Sequence, residues 1–332
     1  MFIKKEFIPL GKGIDGTVRR IPFFAAESEK EGPTVLLTAA IHGDEVTGTA
    51  LIQTIFKWLE KTPLLKGQLF GIPILNVMGF ETISRHDPIA AEDLNRNFPG
   101  DEHGSIPERL AAMIFHTIVE TKPDYVIDFH TDSVNSIAYT LVDYPAELKK
   151  NKILQEMLAL ASALEFPYAI DTEKNTGYSL GKCLTGALVL RGIPAVTVEL
   201  GGPLVVMENF RQAGAESVWR FLTSLEMLKG TAKPLSITIP DEMFYIEARV
   251  CTQSTGIIEY RVKPGQRITK GKILGKVRNV FGETIEVIKS PFDGLLFSHE
   301  DQSVTFPGQA LFTFGVVQKF SEIEKIAALA HY

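Results

Sequence analysis

The sequence predicts an α/β protein with a mixed, largely parallel central sheet flanked by helices, followed by a small C-terminal all-β domain. Three observations predict it. Through the first two-thirds of the chain, short apolar runs alternate with helically spaced apolar residues, the mark of strands covered on both faces by crossover helices. Beyond about Gly230 the segments become short, β-rich and glycine-punctuated, with turn signals at Pro264-Gly265, Lys270-Gly271, Phe281-Gly282, Asp293-Gly294 and Pro307-Gly308. The 332 residues are 45% hydrophobic and 22% charged, an ordinary globular mix. At about 150 residues per domain such a chain divides in two. The expected domains are 1–235 and 236–332, divided within a connector over 231–240.

Each element has its own signal. Thr34 to Ile41 is a short apolar run and reads as a buried strand. Glu45 to Lys61 carries Leu51, Ile55, Phe56 and Leu59 at helical spacing. Gln68 to Leu75 is a second strand. Ser105 and Glu108 form a capping box that opens a helix to about Glu120, with Pro107 tolerated in its first turn. Asp124 to Phe129 is a third strand. Lys150 to Leu164 and Tyr178 to Leu190 read as helices, the second with Cys183 in its interior. Gly192 and Pro194 break that pattern, and Ala195 to Leu200 is a strand. Glu208 to Lys229 is a further amphipathic helix. Turns spaced by 8–12 residues then suit a small barrel or sandwich.

Composition excludes several functions. The net charge is −6, so no basic footprint points to nucleic acid or to an anionic membrane. No apolar run reaches the ~18 residues of a membrane span. The opening Met1-Phe-Ile-Lys-Lys-Glu lacks the apolar core of a secretory signal. Cys183 and Cys251 form no metal-binding or disulfide pattern, which suits a reduced, cytoplasmic setting.

Two of the seven histidines, His42 and His130, directly follow apolar strands. The others lie in loops (His86, His103), a helix (His116), the β-rich part (His299) and near the end (His331). In open α/β sheets ligands bind beyond the carboxyl ends of strands, so His42 and His130 can converge. Glu45, three residues after His42, shares its turn. Two imidazoles and a carboxylate make a known catalytic zinc set with an open position. Glu199 ends another apolar strand and precedes Gly201-Gly202. A carboxylate there suits proton transfer from an activated water to a leaving amine; partnership with a buried arginine is the competing reading. Asp93-Leu-Asn95-Arg96-Asn97-Phe-Pro-Gly100 is polar and loop-like. Arg96 and Asn95 offer donors suited to a carboxylate. Arg85 could hold a developing oxyanion, or be one more surface charge.

His42-Gly-Asp-Glu45, Asp93 to Gly100, Asp128-Phe-His130 and Val198-Glu199-Leu-Gly-Gly202 together resemble the succinylglutamate desuccinylase/aspartoacylase family, a branch of the zinc carboxypeptidase superfamily. The four motifs occur in the family's order, and the resemblance covers roughly residues 30–230. The resemblance implies a zinc carboxypeptidase-like fold and one Zn2+ per chain held by His42, Glu45 and His130. It implies Glu199 as general base and acid, Asn95 and Arg96 as clamps for a substrate carboxylate, and Arg85 as the carbonyl polariser. The segment Val262 to Leu274, with Ser290-Pro-Phe-Asp-Gly294, resembles the biotinyl/lipoyl barrel-sandwich. The tip that carries a modified lysine in such carriers reads Asn279-Val-Phe-Gly282 here, so a carrier role is rejected. The module is expected to pack on the catalytic domain and narrow access to the metal.

The expected function is metal-dependent amide hydrolysis of a small N-acyl amino acid or related carboxylate. A metallocarboxypeptidase acting on peptides is the alternative. A substrate tyrosine is open among Tyr178, Tyr245 and Tyr260. Asp132 is a candidate to orient a ligand histidine, and Arg191 reads as a helix C-terminal charge. A homo-oligomer is possible on general frequency alone.

Overall fold

The computed structural model describes residues 2–12, 16–148, 151–173, 178–230 and 242–319. Lys150, the connector over 231–240 with the expected domain division, and His331 lie outside the described residues.

The first strands are β1 (Phe2–Lys12), β2 (Val18–Glu27), β3 (Thr34–Ala39), β4 (Gln68–Ile72), β5 (Tyr125–His130), β6 (Tyr139–Tyr144), β7 (Tyr168–Thr172) and β8 (Ala195–Glu199). Between them run α1 (Thr47–Leu59), α2 (Val77–Thr82), α3 (Ile106–Glu120), α4 (Asn151–Ala163) and α5 (Leu184–Leu190), with α6 (Glu208–Ser224) after β8. β4, β3, β5 and β8 are mutually parallel and form the middle of the sheet. Every residue of β3 is buried, as its unbroken apolar run requires when helices cover both faces. The core joins these strands to α1 through Leu51, Ile52, Ile55 and Phe56, and to α6 through Val218, Phe221 and Leu222. α3 opens with the expected capping box, in which the Ser105 side chain accepts from the Glu108 N–H.

The sequence pattern leaves four strands of this half unmarked. β1 and β2 pair as an antiparallel edge hairpin. β6 and β7 are parallel to one another, but β6 is antiparallel to β8. They are five or six residues long, too short for periodicity to declare them.

The β-rich part contributes β9 (Glu242–Cys251), β10 (Gly256–Tyr260), β11 (Arg267–Ile268), β12 (Ile273–Arg278), β13 (Thr284–Lys289), β14 (Gly294–His299), β15 (Val304–Thr305) and β16 (Ala310–Lys319). These do not all form a detached unit. β9 pairs with β7 and, with β16, β14 and β11, extends the large sheet to twelve strands. The other four form a separate antiparallel sheet in the order β13-β12-β10-β15. Ile258, Leu274, Val277, Leu311 and Phe312 fill the core of this part.

This part grips the segment that follows His130. Ser133 Oγ lies 2.6 Å from Asp301 Oδ1, and the Val134 N–H donates to Asp301 Oδ2 at 3.1 Å. Asn135 Nδ2 donates to Asp301 Oδ1 at 3.0 Å, and the Ile137 N–H to the Phe297 carbonyl at 2.9 Å.

Candidate active site

Strand register brings the site together. β5 lies between β3 and β8, and pairs His130 with Glu199 at their shared carboxyl ends. The chain leaves β3 through Ala40, at φ +52°, and delivers His42 and Glu45 into the turn before α1. Gly43 is essential to that turn: a Cβ there would meet the Gly79 backbone at 1.9 Å. His42 is 3%, Glu45 2% and His130 4% exposed.

The three side chains face one point. One ligand atom from each lies within 4.8 Å of the others. Glu45 Oε1 is 2.7 Å from His42 Nδ1, and Oε2 is 3.0 Å from His130 Nδ1. Both imidazoles turn their other nitrogen outward to a carboxylate. His42 Nε2 meets Asp93 Oδ1 at 3.1 Å, and His130 Nε2 meets Asp128 Oδ2 at 2.8 Å. Asp128 is fully buried and also accepts from Thr38 Oγ1 at 2.6 Å. A proton on each outer nitrogen leaves both Nδ1 lone pairs aimed inward.

The electrostatics match this arrangement. Burial by itself would raise the Glu45 pKa, but His42 and His130 outweigh it and hold the carboxyl far below the usual range. Burial would likewise lower the His130 pKa, yet Asp128 and Glu45 hold it well above an ordinary imidazole. Arg85 Nη1 approaches His42 Nδ1 at 3.2 Å and Glu45 Oε1 at 3.3 Å, while Nη2 meets Asp93 Oδ2 at 3.3 Å. A guanidinium thus rests against two of the atoms that would ligate a metal. The cluster draws positive charge, and a metal there would displace Arg85 from those two atoms.

Glu199 stands beside the cluster. Its Oε2 is buried without a hydrogen-bond partner, an orphan that points to a reacting water or ligand group. Burial, opposed by His130 and reinforced by Glu45, pushes its carboxyl up to about 8. Two histidines and a glutamate with inward lone pairs, backed by two carboxylates and flanked by an orphan carboxyl, fit the donor set of a catalytic zinc.

The substrate-clamp candidates connect to the cluster through Asp93, which lies 3.1 Å from His42 Nε2 and 3.9 Å from Arg96 Nη1. Asn95 Oδ1 accepts from the Leu184 N–H at 2.8 Å, so its side chain caps the start of α5 from a distant part of the sequence. Arg96 Nη1 donates to the Asn95 carbonyl at 2.7 Å and lies 3.5 Å from Cys183 Sγ. Its guanidinium stacks 3.6 Å over the Tyr178 ring.

Several expectations change. The helix expected over Tyr178–Leu190 is broken into a single turn at Leu180–Lys182 and then α5. Cys183 is the extended N-cap between them rather than an interior residue. Gly186 permits the break, since a Cβ there would meet the Leu180 carbonyl at 2.0 Å. Asp132 does not reach His130: it accepts from Tyr139 Oη at 2.9 Å, and Asp128 orients the histidine instead. Asp128 was legible in principle, because residues two apart on a strand share a face. Asp93 was not, being 51 residues from His42. Of the tyrosines, Tyr178 joins the site. Tyr245 packs in the core, and Tyr260 stacks on His299 with ring centroids 3.9 Å apart. Arg191 is the C-cap of α5, as expected of a helix C-terminal charge.

Asn at position 128 keeps the shape of the aspartate but weakens its hold on His130. Asp128→Asn is expected to lower metal affinity by about 10- to 100-fold. Competition with a chromophoric chelator measures it, and unchanged affinity would remove Asp128 from the site.

The model of the succinylglutamate desuccinylase/aspartoacylase catalytic domain matches residues 31–225. The chain is 26% identical over 254 residues to the N-alpha-acetyl-L-2,4-diaminobutyric acid deacetylase of Halomonas elongata, covering 74% of this chain and 71% of that one. Its fold matches the succinylglutamate desuccinylase/aspartoacylase of Rhodobacter sphaeroides with a TM-score of 0.76 at 23% identity, covering 96% of each chain. A metallo-carboxypeptidase from Burkholderia cenocepacia matches with a TM-score of 0.52 at 14% identity, over 66% of this chain and 65% of that one. With more than half its length matched by the family's catalytic domain, the chain belongs to the succinylglutamate desuccinylase/aspartoacylase family.

Proposed function

We propose that this protein is a zinc-dependent hydrolase that removes the acyl group from a small N-acyl amino acid. The convergence of His42, Glu45 and His130 beside the orphaned Glu199 carboxyl carries the reading. Zinc held by those three residues would lower the pKa of water and polarise the acyl carbonyl.

The chain's own groups supply the rest. Glu199 takes the proton of the attacking water and returns it to the departing nitrogen, which leaves as a free amine. Its raised affinity for a proton suits the second step. Arg85 Nη1, already next to the cluster, donates to the oxyanion as the carbonyl becomes tetrahedral. Arg96 and the Asn95 Nδ2 hold the substrate carboxylate. The stack on Tyr178 and the bond to the Asn95 carbonyl fix the guanidinium before substrate arrives. Asp93 links the two arginines, 3.3 Å from Arg85 and 3.9 Å from Arg96, so clamp and oxyanion donor share one support.

A metallocarboxypeptidase would use the same residues on a peptide. The family membership and the deacetylase relative favour the small acyl substrate. No helix of the described residues is long and apolar enough to cross a membrane.

Amine release by the zinc-loaded chain from a panel of N-acetyl, N-formyl and N-succinyl amino acids, alongside dipeptides, tests the reading. Release from acyl amino acids alone is expected. Release mainly from dipeptides would replace the deacylase with a carboxypeptidase.

A further inference from the structure

Asp143 and Asp171 have no part in the chemistry above. β6 and β7 are parallel, and their register sets Asp143 beside Asp171. Both are buried, at 5% and 6% exposed. Adjacent carboxylates away from water are costly unless donors or a cation compensate them.

The compensation present is slight. Thr185 Oγ1 donates to Asp143 Oδ2, and the Thr172 N–H donates to Asp171 Oδ1 at 2.8 Å. Among the described residues, neither carboxylate forms an ion pair, and Asp171 Oδ2 accepts no hydrogen bond. Burial, reinforced by Asp143, pushes the Asp171 carboxyl up to about 8.

The pair sits next to the substrate clamp. Arg96 touches Cys183, the N-cap of α5. Two residues on, Thr185 reaches both Asp143 and, at 3.3 Å, Thr197 Oγ1. Thr197 precedes Glu199 by two residues on β8 and therefore shares its face. Asp143 feels the charges of His130 and Arg96, and Asp171 that of Arg96. Arg96 itself is committed to the Asn95 carbonyl and the Tyr178 ring.

We propose that Asp143 and Asp171 form the floor of the substrate side-chain pocket and select N-acyl amino acids whose side chain carries a cation. The inference rests on the deacylase reading for its substrate class. With the α-carboxylate on Arg96 and the acyl group at the His42–Glu45–His130 cluster, the side chain remains to be placed. An ammonium on a short chain supplies the donors that Asp171 Oδ2 lacks. A side-chain carboxylate finds two further acids and no cation there and is rejected. Neutral side chains leave the pair uncompensated.

Binding of free amino acids by the metal-loaded full chain tests this without turnover. Calorimetric titration would compare L-2,4-diaminobutyrate, L-ornithine and L-lysine with L-norleucine and L-glutamate. At least one diamino acid is expected to bind about tenfold or more tighter than norleucine, as a charged hydrogen bond requires. The near-isosteric Asp171→Asn should bring that ratio close to unity at unchanged metal stoichiometry. Norleucine or glutamate binding as well as every diamino acid, no binding by any of the five, or a ratio unmoved in both Asp171→Asn and Asp143→Asn, would overturn the assignment. Hydrolysis of the matching N-acetyl amino acids keeps the two readings apart. Cation-selective binding without amine release would remove the deacylase and leave the acidic floor. Amine release with no preference for cationic side chains would do the reverse.

Discussion

Glu199→Gln is expected to retain one zinc per chain and to lose turnover by about 10^3-fold, within the range that a general acid–base group contributes. Glutamine fills the same space on β8 and keeps the backbone pairing with His130. It cannot take a proton from water at neutral pH. The carboxyl is not a structural partner of a buried arginine, because its Oε2 has no hydrogen-bond partner and Arg85 bonds to His42, Glu45 and Asp93 instead. Removing its charge therefore leaves no donor stranded, and thermal stability should hold. Metal content by emission spectrometry and single-turnover rates on a cleaved substrate measure the two halves. A metal-replete variant with normal turnover would remove Glu199 from the mechanism.

His130→Ala is expected to abolish both metal binding and activity. It deletes one of the two imidazoles of the cluster and leaves the fully buried Asp128 with Thr38 as its side-chain partner. Chelation of the wild-type chain should likewise abolish activity and lower the melting temperature. Metal at 100 times its dissociation constant stabilises the folded state by about 2.7 kcal/mol, all of which chelation removes. The pH dependence follows from the same residues. His42 and His130 must give up the protons on Nδ1 before they can ligate, so metal binding releases protons and weakens as pH falls. The His130 pKa is raised in the metal-free chain, so this loss begins at a higher pH than for a free imidazole. A melting temperature that ignores both metal and chelator across pH 5 to 8 would contradict the metal centre.

The legible part of the site had a simple physical origin. His42, His130 and Glu199 each follow an apolar run, and parallel strands buried on both faces must be apolar. Polar residues at the ends of such runs stand out and share one edge of the sheet. Glu45 followed from its place in the same tight turn as His42. The roles of Asp93 and of the Asp143–Asp171 pair were not legible. Each acts on a partner distant in sequence, through pairings no local pattern encodes. The helix over Tyr178–Leu190 failed for a similar reason: Asn95, 89 residues away, takes the Leu184 N–H and starts the helix late.

What the sequence by itself determined is the alternation of strands and helices, the change to β structure after Gly230, and the four polar motifs, three of them at strand ends and one in a loop. These depend on burial periodicity and turn chemistry, which act within a few residues. Tertiary structure alone decided that β6 runs against β8, that β9 and β16 extend the large sheet rather than staying apart, and that Asp301 grips the segment after His130. Strand order and direction are chosen by which apolar faces and unpaired edges meet in space, and a short strand carries no mark of its eventual neighbour. The same packing decided which carboxylate backs each histidine. A buried acid must find a donor, and the fold determined which one came within reach.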